Sequence, residues 1–321
     1  TRMESSAASD VYKRQHMRRA RARIHALGGA ECSNVFTRIT MALFRQVPWR
    51  AVPVMPLQTM LLPEWFPFHL SKVSYWSRTV MVPLFILMHL KAAAKNPRNV
   101  SIAELFCTEP SRAHYPMNAT GGKLGGCFTA ADKVLRTSLP LWHWIGRDRA
   151  LKAAMTFITE RLNGEDGLGG IFPAMAGAVM AFDLLGYPKD HPDVVTAKKA
   201  IEGLLVYRSD GEVYCQPCLS PIWDTCLGAH ALLEAGEDPE GPAMQRAIDW
   251  LLEREITDVK GDWQVRRPDL APSGWAFQYR NDYYPDVDDT AAVVMALDRT
   301  GDARCRPAIE RATAWIIGMQ S

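Results

Sequence analysis

The 321-residue chain is 48% hydrophobic, ample material for packed cores, so a disordered or low-complexity chain is excluded. Lysine and arginine number 37 against 35 aspartate and glutamate, and a net charge of +2 gives no ground for nucleic-acid binding or for an acidic small-molecule substrate. The seven cysteines are odd in number and scattered, which argues against a disulfide framework and for a reducing compartment.

In chain order, Thr1 to Gln15 is small, polar and charged without an apolar run, so it reads as a non-native or disordered tail and not as a signal peptide. Arg18, Arg19, Arg21 and Arg23 fit a solvated helix face. The most apolar run, Val80 to Leu90, is 11 residues long and contains Pro83, whereas a membrane-spanning helix needs about 20, so a buried helix is expected. The segment Phe128 to Ile145 mixes Lys133 and Arg136 with Leu135, Leu139, Leu141, Trp142, Trp144 and Ile145, a composition suited to an interfacial helix or loop.

Beyond that point three stretches align with one another: Ala181 to Gly186, Ala231 to Gly236 and Ala296 to Gly301. Each reads as a helix ended by a glycine, followed by a polar link and a second helix, predicted at Ala197 to Val206, Met244 to Glu253 and Ala308 to Gly318. Asp224-Thr225 and Asp289-Thr290 precede the second and third glycines at the same distance, so they are predicted to cap the first helix of each hairpin. Glycine-rich turns at Asn163 to Gly170 and Val259 to Trp263 close the repeats. The fold class is therefore all-α, built of helix hairpins, and the unequal spacing of the copies favours closed α/α barrels over an open solenoid.

The segment Ser273 to Thr290 carries the densest chemistry. Asp286, Asp288 and Asp289 cannot all ionise cheaply at such short spacing, so the cluster retains a proton and becomes a Brønsted acid. An acidic helix start with Asp289 as its cap accounts for the carboxylates alone. The neighbouring Trp275, Phe277, Tyr279, Tyr283 and Tyr284 tip the reading towards cation chemistry, since a desolvated cation over such a ring gains about 2 kcal/mol. An EF-hand is excluded because Ala291 and Leu297 stand where its turn glycine and closing glutamate belong. Cys215 and Cys218 lack a second ligand pair and are expected to be structural thiols.

Tyr284-Pro-Asp-Val-Asp-Asp-Thr290 resembles the DxDD motif of class II terpene cyclases. With Ser220 to Thr225, Gly261-Asp-Trp263, Phe277-Gln278 and the stretch from Asn34 to Arg38 and from Pro63 to Arg78, the chain from about Ala22 to Ser321 resembles squalene–hopene cyclases. The turn at Trp263 looks like that family's Gln-Trp repeat, while the turn at Gly167 to Gly169 lacks the tryptophan.

The resemblance implies a two-barrel architecture, with residues 16–218 in an inserted barrel and 219–321 beginning the catalytic barrel. It implies that Asp288 donates the proton with Asp286 and Asp289 in support, and that Trp76, Trp223, Asp224, Phe277 and Tyr284 line the substrate cavity. Packing tryptophans are the plainer account of Trp76 and Trp223. Phe172-Pro173 stands where some relatives have Gln-Pro, so that glutamine's water-positioning role does not carry over.

The expected reaction is cofactor-free and metal-free cyclisation of squalene or a similar linear polyprene, at the cytoplasmic face of a bacterial membrane to which the protein attaches peripherally. A second copy of the chain is a candidate partner. The rivals are a class II diterpene cyclase acting on a prenyl diphosphate, for which no basic pocket motif is evident, and a non-catalytic prenyl-binding repeat module. Because the third hairpin stops at Ser321 where the earlier copies continue, the 321 residues on their own are expected to be an inactive piece of the cyclase.

Overall fold

A computed structural model describes residues 15–116 and 123–320; the expected tail, apart from Gln15, lies outside the described residues. The chain is helical, as expected, and it divides into two compact units.

The first unit comprises Thr1–Pro56 and Met88–Arg147 as far as these are described. It holds helices α1 (Gln15–Ala26) and α2 (Val35–Leu43), the end of α3 (Tyr75–His89), and α4 (Lys123–Trp142). Asn34 caps α2 by accepting the Thr37 N–H at 2.9 Å. Two residues tie α4 to the rest of its unit: Asp132 accepts the Val54 N–H at 2.7 Å, and Arg136, paired with Asp132 at 3.0 Å, donates to Val52 O at 3.0 Å. The outer side of this region leaves Phe128, Val134, Leu141, Trp144 and Ile145 exposed. No helix among the described residues is long and apolar enough to cross a membrane.

The second unit, Leu57–Leu87 with Asp148–Ser321, contains most of α3 and all the hairpins. After α5 (Arg147–Glu160) comes a two-residue ribbon, β1 (Leu162–Asn163) against β2 (Gly167–Leu168). The first hairpin is α6 (Phe172–Leu184) with α7 (Pro192–Gly203), followed by the antiparallel pair β3 (Leu205–Tyr207) and β4 (Val213–Cys215). The second is α8 (Pro221–Glu234) with α9 (Pro242–Leu252), and the third α10 (Val287–Thr300) with α11 (Arg306–Gly318). All three stop glycines are left-handed, Gly186 at φ 75°, Gly236 at 89° and Gly301 at 70°, a conformation that other residues resist.

The second helices begin earlier than predicted because proline occupies their first turn: Pro192, Pro242 and Pro307 lack an N–H that the first turn leaves unbonded anyway. Leu205 and Val206, predicted helical, enter β3.

Helices α8 and α10 pack side by side, each flanked by its hairpin partner. They enclose Ile222, Cys226, Met244, Ile248, Leu251, Trp275, Val293, Leu297 and Ala312. On α3, Pro83 meets α6 at Gly177, where an added Cβ would lie 2.8 Å from the proline ring, so a small residue is required for that approach.

Candidate active site

The irregular segment Ser273 to Tyr284 leads into α10 and is fastened to the start of that helix at Trp275. Thr290, fully buried, accepts the Trp275 N–H at 3.0 Å. Trp275 O in turn accepts the Asp286 N–H at 3.1 Å, and the indole N–H donates to Leu251 O at 2.7 Å. Gly274 takes φ +108°, and a Cβ there would lie 2.6 Å from Thr290 Oγ1, so glycine is needed on both counts.

These fastenings decide where the carboxylates stand. Asp286 is the N-cap of α10, with extended backbone, and its Oδ1 accepts the Asp289 N–H at 2.8 Å. The predicted caps are therefore corrected. Asp289 is the third helical residue and not the cap, because the extended Asp286, hydrogen-bonded to Trp275 O, already closes the helix end. In α8 the cap position is Ser220, with Pro221 starting the helix, so Asp224 sits one turn inside it.

Asp289 is 3% exposed and its Oδ1 has no hydrogen-bond partner among the described residues. Burial, then the hydrogen bond and charge of Asp286, push its carboxyl up to about 8. Asp286 is also raised, first by burial, while its hydrogen bonds to Asp289 pull the other way. The direction is that of a pair holding one proton, with Asp289 neutral and donating to an ionised Asp286. Asp288, on the same turn, is exposed.

Three aromatic side chains of the sequence assignment, Trp76, Phe277 and Tyr284, come together beside this pair. Trp76, on α3, meets Phe277 edge to face at 6.4 Å and Tyr284 at 5.8 Å. Tyr284 is half-buried, its phenol raised first by burial and next by Asp286. Trp223 and Asp224 stand in the first turn of α8. Trp223 is half-buried and makes no ring contact with the Trp76 group among the described residues, and Asp224 is exposed, accepting from Ser220 Oγ at 2.8 Å. One turn further on, Cys226 is buried close to Asp289; burial, with Asp289 next, pushes its thiol up to about 11.

Other residues of the site received no role from the sequence. Asp166, in the β1–β2 loop, is 1% exposed, accepts the Arg280 N–H at 2.7 Å, and is raised by burial to about 6. Asp262 forms a buried pair with Arg161 at 2.5 Å and lies 3.6 Å from Arg78, which fixes the Trp263 turn behind Tyr283. The Arg161 guanidinium also lies 5.0 Å from the Tyr283 ring centre. Tyr75, fully buried, stacks on Tyr284. Partners this remote in sequence carry no local signal; the flanking glycines at Gly169 and Gly170 were the nearest hint of a close backbone approach.

Among the described residues no group of histidine, cysteine or carboxylate side chains is arranged to hold a metal ion.

The chain matches the squalene-hopene cyclase N-terminal domain over residues 8–210 and the squalene-hopene cyclase C-terminal domain over residues 219–321. It is 51% identical to the squalene–hopene cyclase of Zymomonas mobilis, with 95% of this chain and 48% of that protein covered. It is also 51% identical to the squalene–hopene cyclase of Bradyrhizobium diazoefficiens, over 95% and 47%, and 48% identical to the probable squalene–hopene cyclase of Sinorhizobium fredii, over 95% and 48%. The chain thus spans about half the length of the curated relatives it matches.

Proposed function

Because the chain belongs to the squalene-hopene cyclase family, we propose that it works in the acid-initiated cyclisation of squalene or a similar linear polyprene. The observation that carries the proposal is the buried carboxyl of Asp289, whose backbone N–H is held by the capping Asp286, in the same neighbourhood as the Trp76, Phe277 and Tyr284 rings.

In the proposed reaction a carboxylic acid of the Asp286, Asp288 and Asp289 cluster adds its proton to the terminal alkene. The alkene π electrons form the new C–H bond and leave a tertiary cation. Each internal alkene then supplies the electron pair for the next ring bond, and loss of a proton or capture of water ends the sequence. Electrons balance without an oxidant or a reductant. Asp288 is the proposed donor by family resemblance, with the Asp286–Asp289 pair as the proton reserve behind it. The half-buried rings offer π faces to the cation, each worth about 2 kcal/mol once water is excluded.

Two neighbouring barrels divided near Leu219, peripheral attachment to the cytoplasmic face of a bacterial membrane, and entry of the hydrocarbon from lipid belong to the same reading. The exposed Phe128, Val134, Leu141, Trp144 and Ile145 are suited to burial in an interface.

The test is conversion by the complete protein of squalene and, separately, geranylgeranyl diphosphate, with and without Asp288→Asn. Cyclised squalene that disappears in the variant is the expected result. Turnover of the diphosphate alone would favour a diterpene cyclase, and undiminished turnover by the variant would remove Asp288 from the acid's role.

A further inference from the structure

We propose that Tyr75 is a positioning residue that holds the Tyr284 ring in the plane from which it faces a cation, an inference that rests on the cyclase reading. Tyr75 is fully buried and so does not itself meet a substrate. Its ring lies parallel to Tyr284, centres 4.3 Å apart and planes 9° apart, while Trp76 abuts both edge-on at 5.6 Å and 5.8 Å. A π face attracts a cation only along its normal, and a half-buried tyrosine is otherwise free to turn about its terminal torsion. The stack removes that freedom.

Tyr75 is itself anchored by a relay of buried hydrogen bonds. Its phenol donates to Asn281 Oδ1 at 2.7 Å, Asn281 Nδ2 donates to Gln278 Oε1 at 3.1 Å, and Gln278 Nε2 donates to Gly169 O at 3.3 Å. Gly170, at φ +65°, leaves no room for a Cβ, which would collide with Gln278 Cγ, so the amide is pressed against the glycine-rich loop. The Arg78 guanidinium lies 6.0 Å from the Tyr75 ring centre. The relay runs from the turn between β2 and α6 to α3 and ends under the ring that adjoins Asp286. A buried network with every link made holds one geometry, whereas one missing link releases several groups together.

The experiment compares Tyr75→Phe and Asn281→Ala with the unaltered complete protein. Each is titrated with a long-chain N,N-dimethylalkylamine, whose ammonium stands for a tertiary cation, and with the neutral alkane of the same length, following tryptophan fluorescence. Each substitution breaks the Tyr75–Asn281 bond from one side, so either suffices if the other fails to fold. The expected result is a loss of ammonium affinity of about fivefold with alkane affinity held within about twofold. The double variant should lose no more than Asn281→Ala alone, because that substitution already removes the bond that Tyr75→Phe cuts. An equal loss for amine and alkane, or no loss, would make Tyr75 a packing residue and overturn the proposal; so would an unaltered protein without preference for the ammonium. Squalene conversion is scored apart from this, since its absence in the unaltered protein counts against the cyclase reading and leaves the amine result to judge Tyr75.

Discussion

Asp289→Asn isolates the retained proton. Asparagine keeps the size of the neutral acid and its N–H donor towards Asp286, but it cannot ionise. The Asp289 carboxyl sits near 8 in the folded chain against an ordinary value of 3.8, so over that interval the folded state binds a proton that the unfolded state has released. Stability is therefore complete below the ordinary carboxylate value and falls as pH rises towards 8, at about 1.4 kcal/mol per pH unit. With the residue 3% exposed, solvent screening makes no useful reduction. Asp166 contributes with the same sign, but its interval closes at about 6, and Cys226, pushed to about 11, remains a thiol throughout. The informative window is thus from about pH 6.5 to about pH 7.5, where the wild type should lose about 1.4 kcal/mol more than Asp289→Asn in urea unfolding. Subtracting the variant cancels the titrating groups outside the Asp286–Asp289 pair, so the difference reports the pair. Parallel profiles through that window would refute the assignment of the proton to Asp289.

Arg161→Ala should cost about 3–5 kcal/mol in urea unfolding, because it strips a buried aspartate, Asp262, of its bidentate partner and leaves Arg78 at 3.6 Å. Gly261→Ala should cost about 1–3 kcal/mol despite an ordinary backbone angle, since the new Cβ collides with Tyr283 O; calorimetry showing an unchanged transition would contradict the packing of that turn. Leu141→Glu with Trp144→Glu should cut flotation with anionic vesicles by about tenfold or more, as both side chains are more than half exposed and each would bury apolar area in a membrane surface.

The hairpin repeats were legible because each hairpin is a local object. A glycine that tolerates positive φ stops the first helix, and apolar residues at helical spacing mark both helices, so Gly186, Gly236 and Gly301 were found from neighbouring residues alone. What failed was the position of the helix starts. Asp289-Thr290 and Asp224-Thr225 have the composition of caps, yet Pro221 begins α8 three residues ahead of Asp224, and Asp286 takes the cap of α10 through a hydrogen bond to Trp275 O that no local pattern announces. Propensity chose the right end of each helix and tertiary contact chose the residue.

The same distinction separates the acid from what poises it. That the three aspartates share a proton follows from their spacing, but which of them stays neutral follows from burial: Asp286 is the cap, Asp288 faces outward, and Asp289 turns into the α8–α10 core beside Cys226. A helix turns by roughly 100° from its second residue to its third, so the consecutive carboxylates Asp288 and Asp289 meet different environments without any change in residue type. The rings show the converse. Trp76 and Phe277 are 201 positions apart and Tyr75 and Asn281 are 206 apart, so nothing near either side chain signals the other. What brings them together is the glycine-rich loop at Gly169 and Gly170, which holds Gln278, and the Asp262 pair with Arg161, which holds the turn behind Tyr283. The acid is thus built by one helix start and the π surface by contacts between remote segments, so a substitution in the loop should disturb the rings while leaving the titration of Asp289 in place. The pH profile of Gly170→Ala, set beside that of Asp289→Asn, separates the two: a retained slope between about 6.5 and about 7.5 supports independent construction, and a flattened one would mean that the loop sets the acid as well.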